Sequence, residues 1–365
     1  MIRMNDFTKE PEDLQRQQLV AVDRVLRSGR YVLGPEVRAF EKQFALTCNA
    51  RHAIGVANGM DAIEIALRAL GIGPGDEVIT TTMTAFATVL AILRAGATPR
   101  LADIDLDTGL MSMESARRCL NSSTRAIVLV HLYGQLAHLD DWVKFCGVHD
   151  LLFIEDCAQA HLAAWGNGVA GTFGKCGAYS FYPTKNLGAI GDAGLLLTQD
   201  DAIADVSRCL RNYGQSERYC HPLLGLNSRL DELQAAILLE RLKWLAEFTN
   251  SRRAHASTYR EQIRNSNVRL LAAPQRAESH VYHLFVICCG RRDELSLYLK
   301  AHGVESFAHY PIPIHRQPSC ANLPTDPSGL SYAEEHARTC LSIPCHHNMD
   351  ECQVAKVIES INSFQ

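Results

Sequence analysis

No stretch of this chain approaches the roughly 18 consecutive apolar residues that a bilayer-spanning helix needs. Its apolar runs are cut by Gly or Asp within strand length, so a membrane protein is not expected. A basic run or basic helix face is also missing. The formal charge of −4 is too near neutral for bulk attraction to nucleic acid. The opening residues, Met1-Ile2-Arg3-Met4-Asn5-Asp6, lack the apolar core of a secretory leader, and a cytoplasmic protein is expected. CxxC pairs are absent among the 13 cysteines. An odd, scattered set reads as small hydrophobes in a reducing compartment. Cys345-His346-His347 with Cys352 is the one suggestive cluster. With no second ligand pair at zinc spacing it reads as a surface loop, and no metal is expected. Internal repeats and low-complexity segments are absent as well.

What the chain does have is βα alternation from about residue 55 to 200. Asp61 to Leu70 places apolar residues at helical spacing and Gly71 ends it. Glu77–Thr81, Arg100–Ile104, Arg125–Val130 and Leu151–Glu155 read as strands. Helical patterns at Ala87–Arg94, Ser112–Leu120 and Leu139–Val148 alternate with them. Such alternation implies a largely parallel sheet covered on both faces. Strand signals recur at Ala178–Tyr182 and Ala193–Thr198, and one long helical pattern then runs from Leu230 to about Ile263. Shorter elements follow: a strand at Val281–Cys289 and helices at Arg292–Ala301 and Cys352–Ile361. That change of texture predicts a large domain over residues 1–249 and a smaller α+β domain over 250–365.

The segment Ser180-Phe181-Tyr182-Pro183-Thr184-Lys185-Asn186-Leu187-Gly188 sets one lysine among apolar and small residues rather than other charges. A lysine that attacks a carbonyl needs such a dry setting, and Ser180 offers a hydroxyl suited to phosphate. Asn58-Gly59-Met60 precedes a helix, where free backbone N–H groups meet an anion; a plain N-cap is the bland alternative. Asp156 ends a parallel strand, in the usual ligand crevice. It is positioned to pair with a protonated ring nitrogen, or to serve as a turn aspartate. Gln159 follows within reach of a ring hydroxyl. Phe86 lies beyond another strand end, where an aromatic stacks on a flat cofactor or simply joins the core. Gly71-Ile72-Gly73-Pro74-Gly75 follows a helix and precedes a strand, the reverse of a dinucleotide fingerprint, and reads as a turn. Together Gly59, Met60, Ser180, Phe86, Asp156, Gln159 and Lys185 fit one cofactor, pyridoxal 5′-phosphate.

The order of these motifs resembles the DegT/DnrJ-type sugar aminotransferases, a family of fold-type I pyridoxal phosphate enzymes. The resemblance runs nearly end to end. It includes Ser28-Gly29-Arg30-Tyr31-Val32-Leu33-Gly34-Pro35, Asn58-Gly59-Met60-Asp61-Ala62, Gly75-Asp76-Glu77-Val78 and Glu155-Asp156-Cys157-Ala158-Gln159. The lysine loop, Leu226-Asn227-Ser228-Arg229-Leu230 and His309-Tyr310-Pro311-Ile312-Pro313-Ile314-His315 continue it. It implies an α/β fold, with a mostly parallel seven-stranded sheet between helices and a smaller C-terminal domain. It also implies that Lys185 captures the cofactor aldehyde and Asp156 pairs with the pyridinium. Gln159 would face the ring oxygen, Phe86 the ring face, and Gly59, Met60 and Ser180 the phosphate. Asn227 would reach the cofactor phosphate of a neighbouring subunit, so a homodimer with shared active sites is expected. Met60 stands where many relatives carry threonine, which removes a hydroxyl and leaves a backbone amide.

Retention of Lys185, which dehydratase relatives replace by histidine, points to transamination. L-glutamate is the expected amino donor. Tyr182 stands where carbon-4 enzymes tend to carry histidine, and His309-Tyr310-Pro311 with His315 resembles the carbon-3 branch. The expected acceptor is a nucleotide-linked 3-keto sugar such as a dTDP-3-keto-6-deoxyhexose. Tyr182, Arg229, His309 and Tyr310 are candidates for sugar or pyrophosphate contact, with a braced structural loop as the alternative for His309 and Tyr310. A carbon-4 acceptor, a UDP-linked 3-keto sugar and a non-catalytic sensor of the cofactor or a sugar nucleotide are the rival readings.

Overall fold

The computed structural model describes residues 1–136 and 138–365. The chain opens with helices α1 (Glu12–Ser28) and α2 (Pro35–Thr47), then strand β1 (His52–Val56) and helix α3 (Gly59–Ala69). Alternation follows through β2 (Glu77–Thr81), α4 (Phe86–Arg94), β3 (Thr98–Ala102), α5 (Met113–Arg118), β4 (Thr124–Val130), α6 (Leu139–Val148) and β5 (Leu152–Asp156). A two-residue hairpin, β6 (Ala164–Trp165) and β7 (Gly168–Val169), precedes β8 (Cys176–Ser180), β9 (Gly194–Thr198) and α7 (Asp201–Leu210). Helices α8 (Glu232–Leu242) and α9 (Leu245–Gln262) lead to β10 (Val268–Leu270), β11 (Phe285–Cys289), α10 (Arg292–Ala301), α11 (Ser331–Thr339), β12 (Cys340–Ile343) and α12 (Glu351–Asn362).

Seven strands form one sheet in the order β1-β9-β8-β5-β4-β2-β3. Every neighbouring pair from β8 to β3 is parallel, and only β9 runs against its neighbours. The expected mostly parallel seven-stranded sheet is therefore present. Its strands read as apolar runs because helices cover both faces. On one face Ile54, Val56, Val128, Ile154 and Leu196 pack with α3 residues such as Ile63 and Leu67. On the other, Ile79, Ile127, Leu129 and Phe153 join Phe40, Phe44 and Phe181. The carboxyl ends of β1, β2, β4, β5 and β8, and the start of antiparallel β9, consequently share one edge, where open α/β sheets bind ligands. Antiparallel β10-β11-β12 forms a second, smaller sheet, backed by Tyr259, Leu295, Leu299, Val357 and Ile361.

Three expectations need correction. The long helical pattern at 230–263 is two helices, because the last turn of α8 tightens: the Lys243 and Trp244 amides donate to the Glu240 and Arg241 carbonyls. The strand expected from Val281 starts only at Phe285. Val281 N–H is taken by the Gly134 carbonyl, Tyr282 N–H by His280 Nδ1, and Leu284 N–H by the Tyr133 carbonyl. Cys345 and His346 do not lie on a surface loop; both are buried. The position between residues 249 and 250 falls inside α9. Among the described residues no helix is long and apolar enough to cross a membrane.

Candidate active site

The start of α3 is built from three strands. Asn58 caps the helix, its Oδ1 accepting from Asp61 N–H at 2.8 Å. The N-cap reading of Asn58 is thus correct, and it leaves the first N–H groups, on Gly59 and Met60, with no carbonyl in the helix to meet. Ser180, at the end of β8, lies directly against them: a Cβ added to Gly59 would come 2.7 Å from Ser180 Cβ. Gly194 of β9, paired with Ser180 in register, closes the cradle from below. A Cβ there would meet the Asn58 carbonyl at 2.3 Å. Ser180 Oγ accepts from Tyr182 N–H at 3.3 Å, so its own proton is free to donate. These residues fit a phosphate: orphan amides, a helix N-terminus and one hydroxyl.

Lys185 follows in a loop tied at both ends. Phe181 N–H donates to the Ala193 carbonyl and Lys185 N–H to the Tyr182 carbonyl, each at 2.8 Å. Gly188 is required because a Cβ would meet the Pro183 carbonyl oxygen at 2.3 Å. Burial of the surroundings pushes the Lys185 amine down to about 8, partly offset by the negative charge of Asp156. An amine so placed fits capture of an aldehyde.

Asp156, buried at the end of β5, accepts from Thr88 Oγ1 at 2.8 Å and from Ala158 N–H at 3.1 Å. Gln159 Oε1 accepts from Tyr133 N–H at 2.6 Å, which turns the Gln159 amide nitrogen outward, 3.4 Å from the Tyr310 hydroxyl. That amide is therefore a donor into the site. Phe86 starts α4 and leaves 39% of its surface open, so it is no core aromatic. Burial pushes the Tyr310 hydroxyl up to about 12, and the Asp156 charge adds to that. His309 is pushed down to about 4 by burial and by the positive Lys185. Its Nδ1 lies 2.8 Å from Ser342 Oγ.

The structure thus gathers Gly59, Met60, Ser180, Tyr182, Lys185, Asp156, Gln159, His309 and Tyr310 along one sheet edge. Asn227 and Arg229 bond instead to one another, and Arg229 lies over the Tyr213 ring, 5.0 Å from its centroid. Neither makes a hydrogen bond to Gly59, Ser180 or Lys185 among the described residues. Their neighbour Ser228 does reach that edge: its Oγ accepts from Ala57 N–H at 3.1 Å.

Sequence reasoning passed over several residues here. Buried His283 donates from Nδ1 to Asn186 Oδ1 at 3.2 Å, while Asn186 Nδ2 donates to the Val281 carbonyl at 2.9 Å. This pair pins the residue after Lys185. Burial, reinforced by Lys185, holds His283 well below the usual imidazole range. Tyr133, with φ of 63°, supplies its N–H to Gln159 and its hydroxyl to the His309 carbonyl at 2.5 Å. No local spacing signals these contacts, which join residues up to 176 positions apart. Glu155, His131 and Cys157 form a buried group with metal-binding potential. Glu155 is already engaged by His131 and by the amides of Gly171, Phe173 and Gly174, so it braces the β5 end rather than awaiting an ion.

The chain is similar to known proteins over nearly its whole length. A pleiotropic regulatory protein of Geobacillus stearothermophilus is 41% identical over 365 residues, covering 100% of this chain and 98% of that protein. The dTDP-3-amino-3,4,6-trideoxy-alpha-D-glucose transaminase of Streptomyces venezuelae is 40% identical, covering 98% of this chain and 95% of the relative. The crystal structure of S. venezuelae DesV in complex with a ketimine intermediate superposes with a TM-score of 0.95 at 39% identity, covering 99% and 97% of the two chains. The sequence pattern of one family matches residues 12–362, and this chain belongs to it: the DegT/DnrJ/EryC1/StrS aminotransferase family.

Proposed function

We propose that the protein is a pyridoxal phosphate-dependent aminotransferase that moves the amino group of L-glutamate to carbon 3 of a nucleotide-linked keto sugar. A dTDP-3-keto-6-deoxyhexose is the acceptor we favour. The family uses this cofactor. The observation that carries the reading is the meeting of Lys185, Asp156 and the Gly59–Ser180 cradle on one sheet edge. Relatives that carry the name of dTDP-3-amino sugar transaminases support the choice of acceptor.

Bound there, the cofactor supplies an aldehyde that takes up an amine and a ring that accepts electrons when the adjoining carbon loses its proton. Lys185 holds and moves that proton. With its amine near 8, a useful fraction is unprotonated at neutral pH and can attack a carbonyl or accept a proton. Asp156 would keep the ring nitrogen protonated, Gln159 would donate to the ring oxygen, and Phe86 would shield a ring face from water. The Gly59 and Met60 amides and the Ser180 hydroxyl would hold the cofactor's phosphate. Tyr182, His309 and Tyr310 would contact the sugar or pyrophosphate, and Arg229, which bonds to Asn227 in this chain, would do so with Asn227 at the neighbouring subunit's site. We further propose a homodimer in which Asn227 serves the neighbouring subunit's site. Exposed Tyr219, Leu223 and Leu224, just before it in the chain, support that reading. Residues 1–249 and 250–365 are proposed as the two domains.

The regulatory name of the Geobacillus relative favours a second reading, a non-catalytic sensor. An intact Lys185 and Asp156 weigh against it. Incubation of cofactor-loaded protein with L-glutamate and the dTDP-3-keto sugar should yield 2-oxoglutarate and a sugar whose NMR places the new amine on carbon 3. Borohydride trapping should label the peptide holding residue 185. Asp156→Asn should fold normally and slow turnover at least a hundredfold. An unlabelled peptide from loaded protein refutes the proposed role of Lys185; an amine on carbon 4 refutes the acceptor.

A further inference from the structure

We propose that Thr88 is a positioning residue for Asp156, one that fixes the carboxylate's orientation toward the cofactor's ring nitrogen; the inference rests on the pyridoxal phosphate reading above. Thr84, Thr88 and Asp156 are all buried. An ionised carboxylate accepts only, so Thr88 Oγ1 donates to Asp156 Oδ2 across 2.8 Å. With its proton committed, Thr88 Oγ1 must accept from Thr84 Oγ1 at 2.9 Å. Two hydroxyls thus form a one-way chain that ends on the carboxylate.

Asp156 Oδ1 is held separately by Ala158 N–H at 3.1 Å. The carboxylate therefore cannot turn about its own axis without breaking two bonds. Among the described residues no lysine, arginine or histidine makes an ion pair with it. The distinction matters chemically. An arginine would hold the carboxylate and also cancel its charge. A hydroxyl holds it and leaves the charge to face a protonated ring nitrogen.

Thr88 also links two parts of the site. It sits in the first turn of α4, two residues after Phe86, and its N–H donates to the Ala85 carbonyl at 3.2 Å. One turn of helix therefore carries both the ring that would cover the cofactor face and the hydroxyl that aims its nitrogen partner.

The test compares Thr88→Val, which keeps the shape and removes the hydroxyl, with Thr88→Ser, which keeps the hydroxyl. Pyridoxal phosphate affinity is measured by equilibrium dialysis of cofactor-free protein, and the half-reaction with L-glutamate by stopped-flow absorbance. Thr88→Val should weaken cofactor binding about tenfold, as loss of a hydrogen bond to a charged group does. It should slow the half-reaction with little change in glutamate KM, and Thr88→Ser should behave as wild type. In an Asp156→Ala background Thr88→Val should cost nothing further. Thr84→Val, which removes only the outer hydroxyl, should give a smaller loss in the same direction and serves if Thr88→Val does not fold. Wild-type affinity and rate in both valine variants overturn the inference. So does a full additional loss in the Asp156→Ala background, which would mark Thr88 as structural. A wild-type protein that takes up no pyridoxal phosphate instead sinks the functional reading and this inference with it.

Discussion

A lysine amine that titrates near 8 rather than 10.5 leaves a mark on the folded chain before any chemistry occurs. Below about pH 8 Lys185 is charged in both folded and unfolded states, and the folded state bears the cost of keeping that charge away from water. Between pH 8 and 10.5 the folded form has lost its proton while the unfolded form keeps it. The unfolded state then binds more protons, so stability contributed by this residue rises with pH across that window. The full difference is about 3–4 kcal/mol, at roughly 1.4 kcal/mol for each tenfold change in proton affinity. Lys185→Met carries no charge to desolvate. Cofactor-free Lys185→Met should therefore exceed wild type in denaturant stability near pH 7 and lose that advantage toward pH 10.5. Parallel stability curves for the two proteins across this range would show that Lys185 is not buried as a cation.

The β8–β9 pair and the α3 N-terminus stand or fall together, because glycine at 194 lets one backbone lie on another. In Gly194→Ala the new methyl would overlap the Asn58 carbonyl carbon and oxygen at 2.3 Å and the Gly59 nitrogen at 2.8 Å. No flexible side chain is there to yield. We expect a loss of about 1–3 kcal/mol in urea unfolding, together with weakened binding of pyridoxal phosphate, since the displaced atoms carry the anion-facing amides. Unchanged cofactor affinity would separate the cradle from the phosphate. Elements of this kind mark the limit of what was legible in the sequence. The βα alternation was readable because each strand is a short apolar run and each helix has one apolar face. Glu77–Thr81, Leu139–Val148 and Arg292–Ala301 fall where the pattern put them. The break between α8 and α9 was hidden, since Lys243 and Trp244 carry no glycine or proline to announce it. Lys185, Asp156 and Ser180 were visible through loop chemistry and strand ends. Thr88, Tyr133 and His283 were not, because their roles depend on which distant chain segment each one faces.

Across the whole molecule, the N-terminal segment, α8, α9 and the loop after β12 meet around a buried polar cluster remote in sequence from the lysine loop. Glu10 Oε1 contacts Arg241 Nη2 at 3.1 Å and His347 Nε2 at 3.4 Å. Arg252 donates to the carbonyls of Tyr282, His283 and Cys345, so the same cluster reaches the segment that pins Asn186. Among the described residues both ring nitrogens of His346 are buried without a partner. Burial, then the charge of Arg252, pushes His346 down from 6.5 to about 3; His255 and His347 are shifted the same way, chiefly by burial. Asp6 opposes the shift at His346, and Glu10 opposes it at His347. The sign follows from linkage. As pH falls below 6.5 the unfolded chain takes up protons on these histidines that the folded chain refuses, so stability drains away down to about pH 3. Glu10 works in the same direction. Burial raises its carboxyl, but His347 and Arg241 outweigh that and hold it low, so its contribution is also lost in acid. His346→Gln cannot take a proton at this position. It should therefore move the acid-unfolding midpoint, followed by far-UV circular dichroism, downward by about half a pH unit. An identical midpoint in both proteins would mean that water reaches His346 in the folded chain and that the junction tolerates its charge.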